Sequence, residues 1–296
     1  MVCLGLDPQI DPEGRKIPRF LIEKYSDHND IILEFNKSLI DNTADLIPII
    51  KPQIAFYEKY NALEALKTTI EYAHKHDLLV ILDAKRNDIG STSRAYAEAI
   101  FENYHADACT LNAYLGSDSI VPFLEFKEKG IFVLIKTSNP SSIEFQDLFS
   151  VKLENVPDDV TEIEWRSMPE SIKLQRNFLQ MANLLNEWGC DLDIYTGYHN
   201  LGGVVGATYP IELKKIREIL KSSFLLIPGF GFQGGNASDI KFGFDKNGLG
   251  GIVNSSRGIM FAYKNNKKYS DEKYDKAARS QIITMNEQIN KAINLS

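Results

Sequence analysis

Cysteine is scarce in this chain of 296 residues: Cys3, Cys109 and Cys190 are the full set, and no two are spaced as C-x-x-C. That excludes a disulfide-framed scaffold and a thiolate metal knot. Cys3 and Cys109 sit in apolar, strand-like segments, so the cysteines read as buried thiols of a protein in a reducing compartment. Long hydrophobic runs are missing as well. None approaches the roughly 20 residues of a membrane span, and the first residues lack the basic, apolar and small-residue order of a secretory signal, so the expected place is the cytoplasm. Positive charge is also in deficit: 33 Lys and Arg against 40 Asp and Glu leave a net charge of -7. A broad nucleic-acid or anionic-membrane surface is therefore not expected, and any anion must be held by a local pocket. Internal repeats, low-complexity tracts, Walker loops, dinucleotide fingerprints and zinc spacings do not occur. His74 and His76 are two apart near a helix end, hence on different faces, and read as solvated surface rather than a metal pair. His28, His105 and His199 stand alone.

What is present is an ordinary globular composition, 44% hydrophobic and 25% charged, in a chain long enough for one large domain with a real core. Apolar runs alternate with helical periodicity. Strands are predicted at Val2 to Asp7, Ile49 to Ala55, the run beginning at Leu79, Ala108 to Ala113 and Gly130 to Lys136. Three more follow at Gly202 to Thr208, Phe224 to Pro228 and Gly250 to Ser255. Between them helices are predicted over Asp30 to Ile47, Asn61 to Lys75, Thr92 to Asn103, Ser117 to Lys129, Ser171 to Trp188 and Pro210 to Leu220. A last helix runs from about Lys273. Eight strand and helix units without hairpin signals predict a single (β/α)8 TIM barrel over residues 1–296, its chemistry at the carboxyl ends of the strands. Pro140 to Pro169 is acidic and irregular, too long for a routine connection, and reads as an insertion, a lid or a short subdomain. Trp165 and Trp188 read as packing residues there.

Charge gathers at one mouth of that barrel. In Leu79-Val-Ile-Leu-Asp-Ala-Lys-Arg-Asn-Asp88 an apolar strand ends in packed charges, and Asp83 and Lys85, two apart, point the same way on an extended backbone. Taken alone the pair would be a structural ion bridge. Asp7, Lys51 and Asp88 fall at neighbouring strand ends, however, and an alternating Lys and Asp array in a low-dielectric pocket keeps every member charged. Such an array can repel a carboxylate, or stabilise a carbanion and then protonate it. Asp7 could instead cap the turn before Pro8. On the other side lie Pro228-Gly-Phe-Gly-Phe-Gln-Gly-Gly-Asn236 and Asn254-Ser-Ser-Arg-Gly258. Glycine-rich backbone after strands seven and eight is where this fold commonly holds phosphate, and Arg257 adds a forked donor. Thr137 and Ser138, at the end of strand five, offer groups that can read a base edge.

These motifs carry a resemblance. Asp83-Ala-Lys-Arg-Asn-Asp-Ile-Gly-Ser-Thr92 resembles the D-x-K-x-x-D-I-x-x-T signature of the orotidine 5'-phosphate decarboxylase family, in its longer branch with an extended segment after strand five. Leu4-Gly-Leu-Asp-Pro8, Lys51-Pro-Gln-Ile-Ala-Phe-Tyr-Glu58, Lys136-Thr-Ser-Asn-Pro140, Val204-Val-Gly-Ala-Thr208 and Ile227-Pro-Gly-Phe-Gly-Phe-Gln-Gly235 extend it across most of the chain. The resemblance implies a cofactor-free conversion of orotidine 5'-phosphate to UMP and CO2. It makes Lys85 the proton donor to C6, with Asp83 and Lys51 beside the scissile carboxylate. It implies a homodimer in which Asp88, Ile89 and Thr92 reach the neighbouring subunit's site. Asp7 and Lys51 would hold ribose, Thr137 and Ser138 the pyrimidine, Pro228 would pack on the base, Gln233 and Arg257 would hold the phosphate, and Ser256 would also bind substrate. The chain departs from the family in starting almost on strand one, in Phe232 before the loop glutamine, and in the long acidic stretch Glu154 to Glu164. The rival readings are a Schiff-base aldolase, a metal-dependent phosphosugar enzyme and a non-catalytic nucleotide-binding barrel.

Overall fold

The computed structural model describes residues 1–11, 13, 16–150, 174–231 and 234–294. The acidic stretch Glu154 to Glu164, Trp165, Phe232 and Gln233 lie outside them. Eight parallel strands form a closed barrel: β1 (Val2–Leu6), β2 (Ile49–Pro52), β3 (Leu79–Arg86), β4 (Ala108–Leu111), β5 (Gly130–Lys136), β8 (His199–Val205), β9 (Ser223–Pro228) and β10 (Gly251–Ser255). Each pairs with its neighbour in sequence, β5 lies beside β8, and β10 closes on β1. Two further strands, β6 (Phe149–Ser150) and β7 (Gln175–Arg176), make a small antiparallel pair between β5 and β8. The (β/α)8 barrel predicted from the alternating pattern is the fold observed.

Two apolar layers hold it together, because strands buried on both faces must fill both. Leu4, Ile50, Leu82 and Val133 point outward and pack under the helices, in one core with Phe35, Leu66 and Ile216. Cys3, Ile49, Ile81, Ala108, Phe132, Val204, Leu226 and Ile252, one from each strand, fill the inside of the barrel. The period of two then dictates what lies above this plug. Two residues beyond Cys3, Ile49, Ile81, Ala108 and Ile252 come Gly5, Lys51, Asp83, Thr110 and Asn254. The barrel is thus apolar in its middle and polar at its carboxyl mouth.

Several elements differ from expectation for local reasons. Strand two stops at Pro52 rather than Ala55, since proline offers no ladder donor; Gln53 caps a short helix, Ile54–Lys59, by accepting from the Ala55 N–H at 3.3 Å. The helix predicted over Ser117 to Lys129 is one 3-10 turn, Ser117–Ser119, and a four-residue helix, Val121–Leu124. The predicted helix start at Ser171 lies outside the described residues; among them, β7 ends at Arg176 and the helix Asn177–Gly189 begins directly after it. His74 and His76 are not free surface: His74 Nε2 lies 2.9 Å from Asp107 Oδ2, and His76 Nε2 lies 3.4 Å from Asp41 Oδ1. Cys3 and Cys109 are buried as expected, but Cys190 is exposed. Among the described residues no helix is long and apolar enough to cross a membrane.

Candidate active site

Asp83 is the hub of the polar layer. Its Oδ2 accepts from Lys51 Nζ at 2.5 Å, and its Oδ1 accepts from Lys85 Nζ at 2.5 Å and from Thr110 Oγ1 at 2.8 Å. Lys51 and Asp83 are buried, whereas the Lys85 side chain is 44% exposed and so keeps one side free for a ligand. The period-two reasoning that brought Asp83 and Lys85 together needs one amendment. Lys85 has a φ of 47°, in the left-handed region, and the β3–β4 register shifts between Leu82 and Arg86. A lysine there costs on the order of 1 kcal/mol in backbone strain. Thr110 offsets part of that by accepting the Lys85 N–H at 3.0 Å while donating to Asp83.

The charges of this cluster follow from burial set against neighbours. Burial pushes the Asp83 carboxyl up, but the Lys51 and Lys85 ammoniums outweigh it and hold the carboxyl far below the usual carboxylate range. Burial likewise pulls Lys51 down, and the carboxylates of Asp83 and Asp7 reverse it to a net rise. Asp7 departs from the expected array. Burial raises its pKa and the more distant Lys51 does not undo this, because Asp7 forms no direct ion pair such as Asp83 enjoys. Beneath the array, burial pushes the Cys3 thiol up to about 12, which leaves it an inert packing group.

A cavity opens above the cluster. Asp7, Lys51 and Asp83 form one wall, Ser138 and Pro228 to Phe230 a second, and Asn254 to Gly258, with Ser256 and Arg257, the third. Glycine is required on its floor, since a Cβ on Gly5 would stand 1.9 Å from Ser256 Oγ. Asp7 Oδ1 and Asn254 Oδ1 are buried acceptors without a protein donor. Such atoms are costly unless a ligand donor reaches them, and hydroxyl groups are suited to do so.

The sequence-derived candidates therefore divide. Asp7, Lys51, Asp83, Ser138, Pro228, Ser256 and Arg257 meet around one cavity, with Lys85 joined through Asp83. Thr137 is turned away: its N–H donates to Gln146 Oε1 at 2.9 Å, and its hydroxyl accepts from Gln146 Nε2 at 2.8 Å and donates to Asn139. Asp88, Ile89 and Thr92 do not line this chain's cavity; Asp88 is partly exposed and Ile89 and Thr92 are exposed. Gln233 lies outside the described residues. Thr110 carries no signal of its own in the sequence and Asn254 enters only as the first residue of the Asn254 to Gly258 stretch, although stepping by two from Ala108 and Ile252 points to both.

A closed parallel barrel with a Lys-Asp-Lys cluster on one side of its carboxyl mouth and an arginine beside a glycine loop on the other has the build of a TIM-barrel enzyme. The chain belongs to the Orotidine 5'-phosphate decarboxylase / HUMPS family, whose model matches residues 1–271. It is 41% identical over 294 residues to the orotidine 5'-phosphate decarboxylase of Petrotoga mobilis, covering 97% of this chain and 93% of that protein. It is 40% identical over 300 residues to that of Clostridium tetani, covering 99% and 94%. Among solved structures, a putative orotidine-monophosphate-decarboxylase from Toxoplasma gondii superposes with a TM-score of 0.75 at 29% identity, covering 99% of this chain and 93% of that one. UMP synthase of Leishmania donovani gives 0.73 at 29% identity, this chain matching 53% of that longer one.

Proposed function

We propose that this chain, a carboxy-lyase of its family, converts orotidine 5'-phosphate to UMP and CO2 in pyrimidine synthesis, in the cytoplasm and without a cofactor. The observation that carries the reading is one buried carboxylate, Asp83, which lines a cavity with Arg257 and is clamped at 2.5 Å by each of two lysines, Lys51 and Lys85. Breaking the C6–carboxylate bond leaves its electron pair on C6, in an orbital the pyrimidine ring cannot delocalise. Stabilisation must then come from fixed charge in a water-poor pocket. Lys85 supplies the field and then the proton, its Nζ–H bond breaking as the C6–H bond forms, and it regains a proton from solvent. Asp83 and Lys51 fix its position; Asp83, kept ionised, also disfavours the substrate carboxylate and not the departing CO2.

The remaining roles are assigned from the family resemblance together with the cavity lining. Asp7 and Lys51 face the ribose hydroxyls, Ser138 the pyrimidine edge and Pro228 its ring face, while Thr137, engaged by Gln146 and Asn139, supports Ser138 rather than meeting the base. Gln233, Ser256 and Arg257 hold the phosphate, whose binding energy drives closure around the reacting centre. Asp88, Ile89 and Thr92 complete the site of a partner subunit in a homodimer.

Mixing the purified protein with orotidine 5'-phosphate and following the loss of its ultraviolet absorbance tests this reading. Absorbance should fall with EDTA present, and borohydride should trap no adduct. Absence of turnover would reject the decarboxylase, an EDTA-sensitive reaction would favour the metal-dependent phosphosugar enzyme, and a trapped lysine adduct the aldolase.

A further inference from the structure

Lys136 ends β5 as a fully buried lysine that the chemistry above does not use. Its ammonium lies 3.0 Å from Asp147 Oδ1, donates to Ser142 Oγ at 3.2 Å and stands 4.4 Å from the centre of the Tyr209 ring. Tyr209 OH in turn meets Ser142 Oγ at 3.2 Å. Taking an ammonium out of water is costly, and a methionine would fill such a space without that cost, so packing alone does not account for a lysine here.

What the cation gathers is informative. Ser142 and Asp147 belong to the segment that leaves β5, and Gln146, next to Asp147, grips both the N–H and the hydroxyl of Thr137. Ser138 follows directly and lines the cavity. On its other side Ser138 presses on Gly206, where a Cβ would stand 2.9 Å from Ser138 Cα, and the Gly206 N–H donates to the Lys136 carbonyl at 2.7 Å. Residues 137–147 thus form a loop tied back on itself, with Lys136 as the peg and Ser138 as the part that faces the ligand.

We infer that Lys136, through Asp147 and Gln146, is a positioning residue that sets the height of Ser138 and so the fit of the pyrimidine base, with no part in holding the phosphate. The inference rests on the decarboxylase reading, in which Ser138 meets the base. Arg176 Nη1, 3.5 Å from Asp147 Oδ1, leaves that carboxylate a second cation when Lys136 is replaced.

The test measures inhibition constants for UMP and for ribose 5-phosphate on Lys136→Met, Asp147→Asn and Gln146→Ala. Loss of about one well-placed hydrogen bond should weaken UMP about tenfold, while ribose 5-phosphate, which lacks the base, should change less than about twofold. Asp147→Asn decides the matter if Lys136→Met does not fold. Parallel weakening of both ligands, or a lower melting temperature with both constants unchanged, would overturn the inference and leave a purely structural ion pair. Wild-type protein that binds ribose 5-phosphate but neither binds UMP nor decarboxylates orotidine 5'-phosphate would instead reject the underlying function, and the inference with it.

Discussion

Thr110 shows how one hydroxyl can serve a reaction it does not touch. It braces both Asp83 and the strained Lys85 backbone, so Thr110→Val removes two hydrogen bonds in a nearly isosteric change. Turnover should fall by at least about tenfold, with a stability loss of about 1–2 kcal/mol; steady-state kinetics and urea unfolding read the two separately. Arg257→Ala should act differently, raising KM by tenfold or more with a smaller effect on kcat, on the order expected for a lost charge-assisted contact to phosphate. Equal loss of both parameters would place Arg257 at the reacting centre instead. At this scale the sequence was readable where residues were out of character. A lysine or aspartate ending an apolar run stands out, which is how Lys51, Asp83 and Lys85 were found. Thr110 and Asn254 are ordinary strand residues, and only closure of the barrel turns them to the same centre. The raised pKa of Asp7 was illegible for a related reason, since it depends on how far Lys51 stands from it in space.

Elements were legible as far as periodicity reached. The strand runs announced themselves, and β3, β5 and β9 lie where their apolar stretches do. Boundaries set by a single cap or proline, as at Pro52 and Gln53, were not. Nor was the role of Arg217, which sits on the helix Pro210–Ile219 and appears in the sequence as one more charge on an amphipathic face. It is buried at the amino ends of the strands and donates to the carbonyls of Leu220, Ser223, Gly243 and Gly250 at 2.7–3.0 Å. Burial lowers its pKa to about 10, which Tyr198 and Asp245 partly offset. Arg217→Met orphans those carbonyls and should destabilise the protein by about 3 kcal/mol. The check is a lower urea midpoint at unchanged slope, with kcat in the folded fraction unaffected because the active mouth is at the other end of the barrel.

For the whole molecule, the carboxyl mouth works while the opposite end sustains the fold. His199, at that other end, shows the second task. It is buried near Ser223, and burial lowers its pKa from 6.5. As pH falls through 6.5 the unfolded chain takes up a proton that the folded one resists, so this contribution is present above 6.5 and lost below it. Melting temperatures from pH 8 to pH 5 should therefore decline less steeply in His199→Gln than in the wild type. Assembly can be tested through the mouth: if Asp88 serves the partner's site, mixing inactive Lys85→Ala and Asp88→Ala chains should restore roughly a quarter of wild-type activity by random pairing, and no recovery would remove Asp88 from that role. The account stands or falls with Lys85, and steady-state decarboxylation of orotidine 5'-phosphate by Lys85→Ala tests it most directly. It predicts turnover at least about a thousandfold below wild type in a protein that melts as the wild type does; turnover near the wild-type rate would contradict it.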